Sequence, residues 1–328
     1  PGACKSVKGI GWFIEEYGIA QVSMNLTDIN VSPLHEVFDA CCKSANQRGL
    51  RVTGSELVGL VPLNVMLDAG KYFLQKQQRS TGISEAEIIK IAVKTMGLDE
   101  LTPFDPQKKI IEYLLQADVK TPLLDMTLPA FANETASESP APGGGSISAY
   151  VGALGVSLGT MVANLSAHKR GWDSRWESFS VYAGQGQGIK RKLLALVDED
   201  TNSFNGIMEA FRLPKSTEQE KSLRTEAIQA ATKYAVEVPL LVMKTALGSM
   251  QMIRSMAEIG NPNSITDAGV GALCARTAVH GAFLNVKINL AGLKDKEYVQ
   301  QKLKEADAVL EQAKQQELEI LQIVEDKI

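Results

Sequence analysis

Asp198, Glu199 and Asp200 stand together within a helical stretch, followed by Thr201, Asn202, Phe204 and Asn205. Three adjacent acids ordinarily mark a solvated face. At helical spacing, however, Asp200 shares a side with Leu193, Leu196, Val197, Phe204 and Ile207, whereas Glu199 projects elsewhere. Asp200 is therefore expected to be half-buried, with its carboxyl pKa raised by desolvation. A carboxyl lifted toward neutrality can both take up and return a proton, which is general acid–base chemistry. A solvated surface acid is the competing reading.

A second constellation precedes it in the chain. In Ser139-Pro140-Ala141-Pro142-Gly143-Gly144-Gly145-Ser146, two prolines fix φ and remove amide donors. The three glycines then permit positive φ and leave main-chain N–H groups unshielded. If Ser146 opens a helix, those amides sit at its positive end, where an anion or a developing oxyanion is stabilised. A flexible loop is the plain alternative.

Other polar residues carry weaker signals. Asp267, in Asn263-Ser264-Ile265-Thr266-Asp267, is read first as a helix-start residue. Arg212 and Lys215 flank Leu213-Pro214, where two cations either hold carboxylates or complement a helix dipole. Asn285, Lys287 and Asn289 lie in an apolar helix and form either a polar layer or part of a site. His35 reads as structural, and His168 and His280 receive no role. Gly184-Gln185-Gly186-Gln187-Gly188 lacks both the spacing and the preceding strand of a dinucleotide-binding turn.

These candidates must be positioned by two kinds of architecture. In the first third, Ile10, Trp12 and Ile14 alternate, as do Val22, Met24 and Leu26, which predicts a hairpin turning at Tyr17-Gly18. Ser32 is expected to cap a helix with Pro33 in its first position. The β-branched run Leu50 to Val61 predicts another strand, and Pro62 opens the next helix. Ser84 and Glu87 form a capping box. The unit so described is α+β, over residues 1–117, followed by a linker over 118–124. Residues 125–328 are expected to form an all-α bundle of about five long helices, broken at Pro214, Gly260-Asn261-Pro262 and Gly292 and kinked at Pro239.

Bulk properties narrow the function. The chain has 328 residues, 45% apolar and 22% charged, as in a water-soluble globular protein. A net charge of -4 argues against a nucleic-acid partner. Cys4, Cys41, Cys42 and Cys274 have no metal-ligand spacing and are expected to be reduced and buried, so no metal site is anticipated. Ser139 to Ala167 carries no formal charge and is long enough to span a membrane. Its small residues Ser148, Gly152, Gly155, Gly159, Ala163 and Ser166 recur at spacings of three and four, however, which favours a central bundle helix and no transmembrane span. The start at Pro1 shows no secretory signal and reads as a cut end.

Ala141-Pro142-Gly143-Gly144-Gly145-Ser146, Val197-Asp198-Glu199-Asp200 with Phe204, Arg212-Leu213-Pro214-Lys215, Gly260-Asn261 and Asn285-Val286-Lys287-Ile288-Asn289-Leu290 together resemble the cyclodeaminase domain of the formimidoyltransferase-cyclodeaminase family, over roughly Leu124 to Ile328. Ile10-Gly11-Trp12, Ala20-Gln21-Val22-Ser23, Leu34-His35 and Gly54-Ser55-Glu56-Leu57-Val58-Gly59-Leu60-Val61-Pro62-Leu63 are similar to the C-terminal subdomain of that family's transferase half. The resemblance implies a ferredoxin-like first unit ahead of the helical bundle.

It also implies cyclodeamination of 5-formimidoyltetrahydrofolate to 5,10-methenyltetrahydrofolate and ammonia, a step of histidine degradation in the cytoplasm. Asp200 takes the family's acid/base position, with Asp267 as a second catalytic candidate. Substrate binding falls to Pro142, Gly143, Gly144, Gly145, Ser146, Arg212, Lys215, Asn261, Asn285 and Asn289. Tetrahydrofolate and its polyglutamates serve as substrate and carrier, with formimidoyl-glutamate as the transferase partner and no metal. The chain is expected to be homo-oligomeric. The family's N-terminal transferase subdomain, which carries its catalytic histidine, has no counterpart here, so transferase chemistry is not expected of this chain alone. A methenyltetrahydrofolate cyclohydrolase and a non-catalytic helical scaffold are the alternative readings.

Overall fold

The structure, a computed structural model, describes residues 2–116 and 121–328, so the expected linker falls partly outside the described residues. The chain divides into two compact units, Pro1–Val119 and Lys120–Ile328.

The first unit opens with the expected hairpin, β1 (Val7–Ile14) and β2 (Ile19–Leu26), paired antiparallel from Val7 opposite Leu26 to Ile14 opposite Ile19. Gly18 makes the turn at φ 63°, a conformation that costs glycine little. The register places Ile10 and Trp12 opposite Ser23 and Gln21, so the two alternating apolar runs lie on opposite faces of the ribbon. Four helices longer than four residues follow: α1 (Leu34–Asn46), α2 (Leu63–Lys76), α3 (Glu85–Met96) and, after the one-turn α4 (Pro106–Lys109), α5 (Ile111–Leu115). Met66, Ala69, Phe73, Ile89, Ala92, Met96 and Ile110 form the core. A Cβ on Gly70 would stand 2.2 Å from the carbonyl oxygen of Ile88, so α2 and α3 touch backbone to backbone there.

Two local expectations are corrected. Ser32 does not cap α1: its hydroxyl donates to Lys5 O at 2.6 Å, and Pro33 occupies the cap position. The strand expected over Leu50 to Val61 is absent. Only Val61 bridges, in parallel with Ile110, donating to Lys109 O and accepting from Ile111 N. The β-branched residues there find no continuous partner backbone, and Gly59 at φ 88° breaks the extended run. The Ser84–Glu87 capping box forms as read, and the cysteines are free but half-buried rather than buried. His35 is buried with its ring tilted 32° against Tyr72 at a centroid distance of 4.4 Å, and burial holds its pKa down.

The second unit is wholly helical among the described residues: α6 (Leu128–Thr135), α7 (Gly144–Ala167), α8 (Trp176–Arg212), α9 (Glu218–Ile259), α10 (Ile265–Leu290) and α11 (Lys296–Glu325). The small face of α7 seats it against its neighbours. Cβ atoms on Gly152, Gly155 and Gly159 would meet Ala278, the Gly271 carbonyl and Ile253 at 3.1, 2.8 and 2.9 Å. Gly186 of α8 has the same role, since a Cβ there would lie 2.1 Å from Thr160 Oγ1, whereas Gly184 and Gly188 face open space. Helices α7 and α9 each contain a window apolar and long enough to cross a membrane, and 61% of each window is buried within the fold.

Pro239 lies inside α9 and has no N–H, so the carbonyl of Ala235 four residues earlier loses its helical donor. Asn289 Nδ2 donates to that oxygen at 2.6 Å from α10. Asn289→Ala is expected to destabilise the fold by about 1–3 kcal/mol in urea titrations, because a buried carbonyl is stranded. In a Pro239→Ala background, where the helix supplies its own donor, the same change is expected to cost markedly less.

Candidate active site

The site is assembled where α7 begins. Pro142, after a cis Ala141–Pro142 bond, is buried, and Gly143 takes the extended N-cap conformation. A glycine cap has no side chain to accept the first amides of the helix, which therefore remain open to an acceptor from elsewhere. Asp200 of α8 supplies one. Its Oδ2 accepts from Ser146 N at 2.9 Å and lies 3.2 Å from Ser146 Oγ. That hydroxyl, fully buried, also reaches Val197 O at 2.9 Å and Thr201 Oγ1 at 3.4 Å.

This arrangement changes the reason for the glycines. Gly143, Gly144 and Gly145 all lie outside the positive-φ region. What Gly145 provides is proximity: a Cβ there would stand 2.1 Å from Asp200 Oδ1 and 2.4 Å from its Cγ. The carboxylate rests on the helix backbone in the space that a side chain would occupy. Gly144 is exposed, and a Cβ on it would approach Asn285 Nδ2 to 3.2 Å. The amides of Gly144 and Gly145 have no acceptor among the described residues.

Asp200 is half-buried, as its helical position predicts, and burial raises its pKa above the ordinary carboxylate value. The Ser146 hydroxyl and amide oppose that rise by stabilising the anion, but desolvation is the larger effect. An acid so placed is poised to hold a proton and to surrender it.

Asn285 joins this cluster. Its amide donates to Gly281 O at 2.9 Å, which fixes it beside Gly144. Asn289 does not, since its amide nitrogen is committed to Ala235. Arg212 and Lys215 are exposed at the far end of α8, with Arg212 about 18 Å along the axis from Asp200. Asn261 and Asp267 lie at the opposite end of the unit. The Asn261 amide donates to Ser166 Oγ, about 30 Å along α7 from Ser146, and Asp267 stands in the first turn of α10, about 27 Å from Asn285. Within one chain neither can act with Asp200.

Two features escaped the sequence reading. Asp198 is only 6% exposed and accepts from Leu123 N at 3.0 Å and Leu124 N at 3.4 Å, so it ties the entry segment to α8. Glu199 accepts from Tyr234 of α9. The three acids thus face three ways. Acid type and spacing carry no hint of Asp198, whose partners are backbone amides 74 and 75 residues away. Phe204, read as inward-facing, is 42% exposed.

Known proteins show the same division of the chain. The formiminotransferase domain model matches residues 1–116 and the formiminotransferase-cyclodeaminase model residues 127–308. The formimidoyltransferase-cyclodeaminase of Gallus gallus is 38% identical over the whole chain, which spans 60% of that relative's length. The methenyltetrahydrofolate cyclohydrolase of Methylorubrum extorquens is 34% identical over 62% of this chain and 97% of its own. The crystal structure of formiminotetrahydrofolate cyclodeaminase from Thermotoga maritima superposes with a TM-score of 0.56 at 25% identity, over 62% of this chain and 98% of that one. With a family model covering more than half of its length and a glycine turn closed on Asp200, the chain belongs to the formiminotransferase-cyclodeaminase family.

Proposed function

We propose that the helical unit cyclises 5-formimidoyltetrahydrofolate to 5,10-methenyltetrahydrofolate with release of ammonia, and that Asp200 is its proton shuttle. One observation carries this reading: a half-buried carboxyl of raised pKa held against the open N-terminus of α7. N10 of the folate attacks the formimidoyl carbon and forms a tetrahedral centre. Asp200 takes the N10 proton and delivers it to the exocyclic nitrogen. With one further proton from solvent, that nitrogen leaves as ammonia and the methenyl cation remains. The positive charge stays on the methenyl product, so a carboxylate beside it stabilises the product side of the step.

The free amides of Gly144 and Gly145, with Ser146 and Asn285, place the substrate, and Arg212 and Lys215 attract its anionic glutamate tail. Asp200 is bonded into the glycine turn rather than solvated, which counts against a passive scaffold. The first unit reads as the ferredoxin-like part of a transferase half whose formimidoyl donor is formimidoyl-glutamate. Histidine degradation in a cytoplasmic setting, which four unpaired cysteines suit, and self-association complete this reading.

The Methylorubrum relative supports a second reading, in which water rather than N10 chemistry is managed at the same carboxyl and the methenyl carbon is hydrolysed. Turnover of formimidoyl and methenyl substrates side by side separates the two: ammonia release faster than methenyl hydrolysis is expected.

Asp200→Asn is expected to lower kcat for ammonia release by about two to four orders of magnitude, the usual size of an acid–base contribution. Near-normal release would remove Asp200 from the mechanism. Stability should move the other way. A raised folded-state pKa means that the folded chain keeps a proton that the unfolded chain has already lost, so the Asp200 contribution falls as pH rises from the ordinary carboxylate range through the raised value. Asp200→Asn retains an acceptor for Ser146 N, and its Tm is expected to match or exceed the wild type above that window and to converge with it below. Gly145→Ala is expected to cost about 1–3 kcal/mol in urea titrations, with most of that loss relieved in an Asp200→Ala background, because the clash is with that carboxylate.

A further inference from the structure

The hydroxyl of Ser146 has one proton and three oxygens within reach: Val197 O at 2.9 Å, Asp200 Oδ2 at 3.2 Å and Thr201 Oγ1 at 3.4 Å. Ser146 is fully buried, so its partners come from the protein. Amide and hydroxyl of this one residue converge on a single carboxylate oxygen, Oδ2. The other oxygen is placed differently. Oδ1 lies over Gly145, bonds to no group among the described residues and is open to solvent.

The asymmetry divides the carboxyl into a held oxygen and a working one. A proton accepted by Asp200 needs an oxygen with a free lone pair, and Oδ1 is the one left unoccupied. Charge then decides what the hydroxyl does. While Asp200 is an anion, a charge-assisted bond to Oδ2 is the stronger use of the Ser146 proton. Once Oδ1 carries a proton, Oδ2 is a carbonyl oxygen already served by Ser146 N, and the nearer Val197 O, whose second lone pair the helix ladder leaves free, is the better acceptor. Neither protonation state strands a buried donor. Among the described residues no other charged group bonds to Asp200. Helix α7 carries none, Asp198 is turned to Leu123 and Leu124, and Glu199 to Tyr234. On α9, Lys233 and Glu237 are paired with Asp295 and Lys302, and on α10 Lys287 lies over the Phe283 ring.

We propose that Ser146 is a positioning residue for the proton shuttle: its hydroxyl turns from Asp200 Oδ2 to Val197 O as a proton arrives on Oδ1, and turns back as that proton leaves. This rests on the cyclodeaminase reading and adds which oxygen works and what holds its partner. The N10–H bond breaks as Oδ1–H forms, and Oδ1–H breaks as the exocyclic nitrogen gains its proton, so the carboxyl ends the cycle as it began. With amide and hydroxyl both committed inside the protein, Ser146 acts on the substrate through Asp200.

Steady-state kinetics of ammonia release by the full chain test this. Ser146→Ala keeps the amide and deletes the hydroxyl. It is expected to lower kcat about tenfold with KM within about twofold, the pattern of an interaction that does not touch bound substrate. Because Asp200 must be charged to accept the N10 proton, kcat rises with pH, and in Ser146→Ala that rise is expected about one pH unit higher, the anion having lost a donor. Ser146→Cys, a weaker donor of similar size, is expected to fall between serine and alanine and carries the test if the alanine variant does not fold. Adding Ser146→Ala to Asp200→Asn is expected to slow the reaction no further, since nothing remains to be positioned. An unmoved pH profile, a loss confined to KM, or a further fall in the double variant overturns the proposal and leaves Asp200 as the shuttle. Near-normal release by Asp200→Asn alone overturns the cyclodeaminase reading beneath it.

Discussion

The helical unit turns on one close approach, a carboxylate lying on helix backbone. Asp200 Oδ2 holds Ser146 N at 2.9 Å while its other oxygen occupies the space that any side chain at position 145 would need. Two requirements oppose each other here. The helix N-terminus wants an anion, and the surrounding protein disfavours one because it withholds water. The balance leaves the group more willing to keep its proton than a solvated aspartate. A cap made from the residue's own loop, such as a serine at position 143, would have satisfied the amide without creating that tension.

Such a contact survives only if α7 and α8 cannot drift apart. Interhelical distance is set by residues with little or no side chain: Gly186 against Thr160, Gly152 against Ala278 and Leu193, Gly155 against the Gly271 carbonyl, and Gly281 against Ser148. Backbones this near leave few alternative rotamers and little room for sliding. The polar residues within the layer do similar work. Asn289 answers the carbonyl that Pro239 leaves open, and Asp198 anchors the amides of Leu123 and Leu124, so the geometry at Asp200 is fixed from several directions.

Much of this was legible in the chain because it follows local rules. Helical spacing alone put Asp200 on a partly buried side, small residues at three and four marked the packed face of α7, and Ser84 with Glu87 announced a capping box. Long-range polar partners were not legible. Nothing in Asp198 distinguishes an acid that binds distant amides from one in water, and nothing in Asn289 names the proline it serves. The missing strand over 50–61 failed for a related reason: extended residues make a strand only where another backbone comes to meet them. Asn261 and Asp267 were assigned to the same chemistry as Asp200 because sequence motifs carry order but no distance, and a long helix separates them from it within one chain.

That separation follows from helix length. In a bundle of long antiparallel helices, each helix carries its two ends to opposite poles, so motif residues on both ends of α10 cannot serve one substrate from a single chain. Asp200 therefore works at one pole, where it rests on Gly145 with Ser146 and Asn285 beside it, and at the other pole the Asn261 backbone amide donates to Ser166 Oγ while Asp267 stands in the first turn of α10.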